Sequence, residues 1–246
     1  MPVEGVIFDM EGVLVDSEVY WEASRRAFAE QRGKAWTMDD QRAAMGRNTV
    51  EWARVMQERL GIDTPLEAII DDMIARILAR YDARVPVLPG AHAAVRTAEG
   101  RYRVALASGS PTRVIDYVIA HLGLGEAFQA IVYGDDIANG KPAPDIYLEA
   151  ARQLGVPPAC CVGVEDSANG LRAVKAAGMY AIAVPSPGFP LPDDVLALAD
   201  RVLPSLEAFS VALVGIACAA MMNRATLPVN PCTIRPGAQR GYSAQF

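Results

Sequence analysis

Asp9 and Glu11, two places apart in VEGVIFDMEGVLVDSE, set two carboxylates at the end of a short apolar run. At a strand tip, one such group can attack an electrophile while the other gives and takes its proton. Three further reactive clusters sit at or just after predicted strand ends: Ser108 with Gly109 and Ser110, Lys141 with Pro142, and Glu165 with Asp166 and Ser167. Each alone reads as an ordinary turn or helix cap. Their common placement carries more weight, because a parallel sheet gathers separate strand tips into one small volume.

Carboxylates crowded there repel one another, and a hard divalent cation such as magnesium relieves the repulsion with oxygen ligands alone. Asp9, Asp166 and Glu165 are the candidate side-chain ligands, and the main-chain carbonyl of Glu11 offers another oxygen. Beside the cation, Ser108 can donate to a phosphoryl oxygen and Lys141 can balance its charge. Backbone N–H groups of the Met10–Gly12 turn and around Gly109 and Ser110 complete the cradle, with Gly12 letting the chain pass close to the ligand. Phosphoryl transfer is the reaction these groups suit.

The elements that position them alternate. Strand candidates lie at Val6–Phe8, Tyr102–Ala107, Ala130–Val132, Cys160–Val164 and Tyr180–Val184, with helical patterns at Thr112–Leu122, Asp145–Leu154 and Ala168–Ala177. This predicts an α/β fold, an open parallel sheet with helices on both faces. Between Glu18 and Ala83 the pattern is helical without a strand, marked by Trp21, Ser24, Arg25 and Phe28, then Trp52, Val55 and Met56, then Ile70, Met73, Ile74 and Ile77. Such a block reads as an inserted all-helical cap over the carboxyl ends of the strands, where open sheets hold their ligands. The expected organisation is a discontinuous core of residues 1–16 and 87–210, a cap of residues 17–86, and an extension of residues 211–246, loosely ordered or docked on a neighbour.

At 246 residues and 52% hydrophobic, the chain is long and apolar enough to bury such a core. A net charge of −6 with no basic run argues against nucleic-acid binding. The four cysteines include the adjacent pair Cys160 and Cys161 but no CxxC, so neither zinc nor a disulfide framework is expected. Reduced thiols in the cytoplasm fit this usage. Val211–Met222 is too short to span a bilayer as a helix, and no signal peptide is evident at the N-terminus. No membrane partner is expected; monomer and homo-oligomer both stay open.

In FDMEGVLVDSE at 8–18, LASGSP at 106–111, GKPAPDIY at 140–147 and VGVEDSANG at 162–170, the chain resembles the haloacid dehalogenase superfamily. The resemblance is to the branch holding β-phosphoglucomutase and small sugar-phosphate phosphatases, and covers about Val3 to Leu206. It implies that Asp9 forms an aspartyl-phosphate, that Ser108 and Lys141 hold the phosphoryl group, and that Glu165 and Asp166 anchor magnesium with Asp9 and the carbonyl of Glu11. Where the family has an aspartate as acid and base, this chain has Glu11, whose extra methylene moves the carboxyl by about 1.5 Å. The cap is expected to choose the substrate through Glu18, Trp21, Arg47 and Asn48.

Trp21 also stands where β-phosphoglucomutase has a histidine, which favours a phosphatase over a mutase. A phosphonate hydrolase of the branch needs a cap amine, and Lys34 is the only lysine of the cap. A phosphate-binding or regulatory module weakened by Glu11 is the alternative of a different class.

Overall fold

The computed structural model describes residues 3–186 and 188–215. Its centre is a six-stranded parallel sheet in the order β3-β2-β1-β4-β5-β6. The strands are β1 (Gly5–Phe8), β2 (Arg103–Ser108), β3 (Ala130–Tyr133), β4 (Cys161–Glu165), β5 (Tyr180–Ala183) and β6 (Arg201–Val202). β1 is central because both of its edges are paired: Phe8 lies opposite Leu106 of β2 and Val164 of β4. That register sets Asp9, one residue on, between the tips that carry Ala107 and Glu165.

Strand alternation divides the core between the two faces. Val6 and Phe8 of β1 point with Val104, Leu106, Val162 and Val164 into one buried cluster, shared with α5 (Ala91–Glu99) and α6 (Thr112–Leu122). Ile7, Ala105 and Ala107 point the other way, against Ile146 and Tyr147 of α7 (Asp145–Leu154) and Leu171 and Val174 of α8 (Ala168–Ala176). The expected α/β fold with helices on both faces is therefore present, and the five anticipated strands appear with ends shifted by a residue or so. β6 was not anticipated; two exposed residues carry no alternation to read.

The inserted region is all helical, as its periodicity requires, but contains one more helix than the three traced by apolar spacing. It comprises α1 (Glu18–Glu30), α2 (Met38–Ala44), α3 (Thr49–Leu60) and α4 (Leu66–Ala83). α2 is seven residues long and buries only Asp40, Gln41 and Ala44, so no apolar stripe reveals it. Its start is fixed by a capping box, in which Thr37 Oγ1 accepts from Asp40 N while Asp40 Oδ2 accepts from Thr37 N.

Two paired segments carry the chain into and out of this helical region: Asp16 N donates to Pro86 O and Leu88 N to Leu14 O. Across the opening, Asn169 Nδ2 donates to Met45 O over 3.0 Å and Gly140 N to Glu51 Oε1 over 3.1 Å. The helices thus rest on the carboxyl ends of the strands. The expected extension falls almost wholly outside the described residues. No described helix is long and apolar enough to cross a membrane.

Candidate active site

Asp9 leaves β1 with its N–H bonded to Val164 O, so its side chain emerges at the middle of the sheet's carboxyl edge. The loop that follows is tight. Gly12 N donates to Val15 O and Leu14 N to Met10 O, and Gly12 takes φ +72°, a conformation that favours glycine. A Cβ at Gly12 would lie 1.8 Å from Asp166 Oδ2. The close approach expected of Gly12 is therefore toward Asp166, and Gly12 itself does not border the cleft.

Lys141 enters from the loop before α7 and is 3% exposed. Its Nζ donates to Asp9 Oδ1 over 2.8 Å and to Glu165 Oε1 over 2.6 Å. Glu165, wholly buried, is held on both oxygens. Oε1 also accepts from the Tyr147 hydroxyl at 2.8 Å, and Oε2 accepts from Asp166 N, Ser167 N and Ser167 Oγ at 3.1–3.2 Å. Such saturation fixes Glu165 in one place beneath the cleft rather than on its surface. The Asp166 carboxylate, by contrast, has no hydrogen-bond partner among the described residues and borders the cleft.

One oxygen from each of Asp9, Glu165 and Asp166 lies within 4.8 Å of the others. Against these three buried carboxylates stands one cation, Lys141, which burial alone would weaken but which Asp9 and Glu165 together hold well above its ordinary pKa. Burial pushes Asp9 up to about 7, with Glu165 adding to the rise and Lys141 opposing it. Asp166 is raised too, by burial first and then by Glu165 and Asp9. An all-oxygen set with unbalanced negative charge and an unpartnered carboxylate fits a hard divalent cation.

Ser108, Gly109 and Ser110 form the next wall, with Ser110 N donating to Ser108 Oγ over 3.3 Å. Gly109 lets the cap come down: a Cβ there would sit 2.8 Å from Arg47 O. From the cap, Glu18, Trp21, Arg25, Arg47 and Trp52 border the same cleft. Arg47 Nε donates to Ala43 O over 2.7 Å. Asn48, expected to face substrate, is turned to another use: its Oδ1 accepts from Glu51 N and caps α3, and it does not border the cleft.

Glu11 reaches from the core to the cap, where its Oε1 accepts from Trp21 Nε1 at 2.6 Å. Burial pushes its carboxyl up to about 7, against the lowering effect of that bond. A carboxyl poised there can exist in both protonation states near neutrality. Trp21, 2% exposed, is therefore a hydrogen-bond donor to the Glu11 carboxyl rather than an open stacking surface.

Three participants were not anticipated. Tyr147 is the last letter of the GKPAPDIY motif, and in the sequence Arg25 and Trp52 mark helical periodicity alone. A cation one turn after Trp21 on a buried helix face was the available signal.

Residues 3–178 match the profile of haloacid dehalogenase-like hydrolases. The chain belongs to that family. With its structural relatives, that membership classes the chain as a phosphoric monoester hydrolase of the family. It is 37% identical over 182 residues to a phosphorylated carbohydrates phosphatase of Thermotoga maritima, covering 73% of this chain and 84% of that protein. It is 32% identical over 239 residues to a bifunctional riboflavin kinase/FMN phosphatase of Arabidopsis thaliana, covering 96% of this chain; it spans 62% of that protein's length. Among solved structures, CbbY from Rhodobacter sphaeroides in complex with phosphate superposes with a TM-score of 0.75 at 28% identity, covering 85% of this chain and 98% of that one.

Proposed function

We propose that the chain is a magnesium-dependent phosphatase of a small phosphorylated metabolite, a sugar or polyol phosphate, working through an aspartyl-phosphate on Asp9, with residues 17–86 as its cap. The observation that carries this reading is the convergence at Asp9, with Lys141 at 2.8 Å and the oxygens of Glu165 and Asp166 within 4.8 Å. Its similarity to a phosphatase of phosphorylated carbohydrates supports the substrate class.

Asp9, Asp166 and the main-chain carbonyl of Glu11 would hold the cation, with Glu165, its oxygens taken by hydrogen bonds, adding negative charge from beneath; the cation would neutralise phosphoryl oxygen charge. The Asp9 carboxylate attacks phosphorus as the bond to the leaving oxygen breaks, and protonated Glu11 gives that oxygen its proton. Glu11, now a carboxylate, takes a proton from water. The resulting hydroxyl attacks phosphorus, which frees inorganic phosphate and restores Asp9. Ser108 and Lys141 hold the phosphoryl oxygens throughout, while Gly109 and Ser110 offer backbone N–H groups.

Trp21 favours hydrolysis over a mutase, because an indole N–H donates but cannot accept a proton from a sugar hydroxyl. The test is release of inorganic phosphate from a panel of sugar and polyol phosphates, with and without magnesium. Release that needs magnesium and disappears in Asp9→Asn is expected. Isomerised sugar phosphate without release points to the mutase, and metal-dependent binding without turnover points to a regulatory module.

A further inference from the structure

From one stretch, residues 45–51, the cap touches each of the three later core loops that carry cradle and cation groups. Met45 O accepts from Asn169 Nδ2 over 3.0 Å, just beyond Asp166 in the chain. Arg47 O lies where a Cβ at Gly109, next to Ser108, would come within 2.8 Å. Glu51 Oε1 accepts from Gly140 N over 3.1 Å, immediately before Lys141. The first two contacts use cap backbone. The third is made by a cap side chain, and so depends on which residue stands there.

Glu51 has a local duty that does not need its length. In the first turn of α3 it completes a capping box with Asn48, and α2 builds the same box with the shorter Asp40. The shorter side chain closes it more tightly: Asp40 Oδ2 accepts from Thr37 N over 2.9 Å, whereas Glu51 Oε2 stands 3.4 Å from Asn48 N. Glu51 is drawn off its own helix toward the core loop. A Cβ at Gly140 would lie 2.2 Å from Glu51 Oε2 and 2.9 Å from Asn48 N, so the start of α3 presses on the bare backbone of that loop.

The remaining bonds of this stretch stay local. Gly140 O accepts from Ala143 N, and Asn139 Nδ2 donates to Asp145 Oδ1 at the start of α7. Among the described residues, Glu51 is thus the partner that ties Gly140 to another part of the fold. Once a phosphoryl group takes a share of the Lys141 ammonium, the place of that ammonium depends on its backbone anchor, and a misplacement of ~1 Å can cost about 100-fold in rate.

We propose that Glu51 is a positioning residue of the reaction: bonded to the Gly140 N–H with the cap seated on the core, it sets the loop that aims Lys141 at the phosphoryl oxygens. This rests on the phosphatase reading and adds to it a cap residue that does not itself border the cleft.

The experiment compares wild type, Glu51→Asp and Glu51→Gln as full chains in excess magnesium, by calorimetric binding of inorganic phosphate and by kcat/KM on p-nitrophenyl phosphate. Aspartate keeps the charge and the capping box but falls about 1.5 Å short of Gly140. Glutamine keeps the reach and one acceptor oxygen. A role confined to the start of α3 ranks aspartate above glutamine, because negative charge there suits the helix dipole; the bond to Gly140 ranks glutamine above aspartate. Glu51→Asp should weaken phosphate binding and lower kcat/KM roughly tenfold, the loss of one charge-assisted bond, while Glu51→Gln stays within about threefold of wild type. In a Lys141→Arg background, where the ammonium is already replaced, Glu51→Asp should add little further loss.

Aspartate equal to wild type, or glutamine no better than aspartate, overturns the proposal and leaves Glu51 as a helix cap. An undiminished loss in the Lys141→Arg background overturns it too, because the effect then bypasses Lys141. A wild type that neither binds phosphate nor hydrolyses p-nitrophenyl phosphate overturns the phosphatase reading and this proposal with it. Phosphate bound and ester hydrolysed, with flat variants, overturns the proposal alone.

Discussion

Trp21 Nε1 lies 2.6 Å from Glu11 Oε1, joining the acid of the first core loop to the first turn of the first cap helix. An aspartate at position 11 would end about 1.5 Å short and lose that partner. The cap therefore supplies the group that receives the longer side chain. Glu11→Asp should lower kcat, by about 10–100-fold, because the carboxyl is withdrawn from the place where it is held. Trp21→Phe should also slow the enzyme, and a double-mutant cycle should show the second change costing much less once the first is made. A gain in kcat for Glu11→Asp would show instead that the native glutamate handicaps the reaction.

Stability of the metal-free protein should depend on pH through the same cluster. Burial pushes Asp9 and Glu11 up to about 7 and raises Asp166, so from about pH 4 to 7 the folded state binds protons that the unfolded chain lacks. Their favourable contribution is complete below the unfolded values near 4 and is lost as pH rises through 7. Glu149, held down to about 2 by hydrogen bonds from Arg152 and Gln153, acts only at lower pH. Without metal, the Tm should be higher at pH 5 than at pH 8 by roughly 4 °C, the equivalent of ~1–2 kcal/mol for a chain of this size. Magnesium should then raise the Tm more at pH 8 than at pH 5, as followed by thermal unfolding in chelator and in magnesium. A flat or reversed profile would contradict the charge imbalance.

Lys141 bridges Asp9 and Glu165 while 3% exposed, so Lys141→Met strands two carboxylates in the interior. Losing one partner of a buried ion pair costs about 3–5 kcal/mol. Tyr147→Phe removes a single donor to Glu165 and should cost about 1–2 kcal/mol. Urea unfolding without metal should rank the two variants in that order. Equal midpoints would mean that Asp9 and Glu165 do not depend on the lysine for their burial.

Sequence spacing located much of the core of this site because Asp9, Ser108 and the Glu165–Ser167 cluster terminate apolar runs, and a parallel sheet aligns such ends. Lys141 lies further on, in the loop between β3 and α7, and its motif rather than an apolar run marked it. The cap was less legible, since its chemistry depends on which helix faces turn inward. Arg25 and Asn48 were separable only by coordinates, one bordering the cleft and the other capping α3. Glu165 was hidden differently. Its neighbours in VGVEDSANG suggest an exposed ligand, while the fold encloses it among Lys141, Tyr147 and two backbone N–H groups.

Gly170 guards that enclosure. A Cβ there would meet the Glu165 carboxyl carbon at 1.8 Å and its two oxygens at 1.9 and 2.0 Å, distances that no small adjustment relieves. Gly170→Ala must expel the carboxylate from the N–H and hydroxyl donors that hold it and pull it from Lys141. Several buried charge-assisted hydrogen bonds go at once, so the loss should exceed about 3 kcal/mol and remove magnesium-dependent turnover. Gly125→Ala is the control, because its Cβ would meet only Ile119 Cγ2 at 3.6 Å, an ordinary contact. It should stay within about 0.5 kcal/mol of wild type. Denaturant midpoints measured side by side decide the matter: if Gly170→Ala unfolds with Gly125→Ala, Glu165 is not confined as the structure has it, and its place beneath the cation site fails with it.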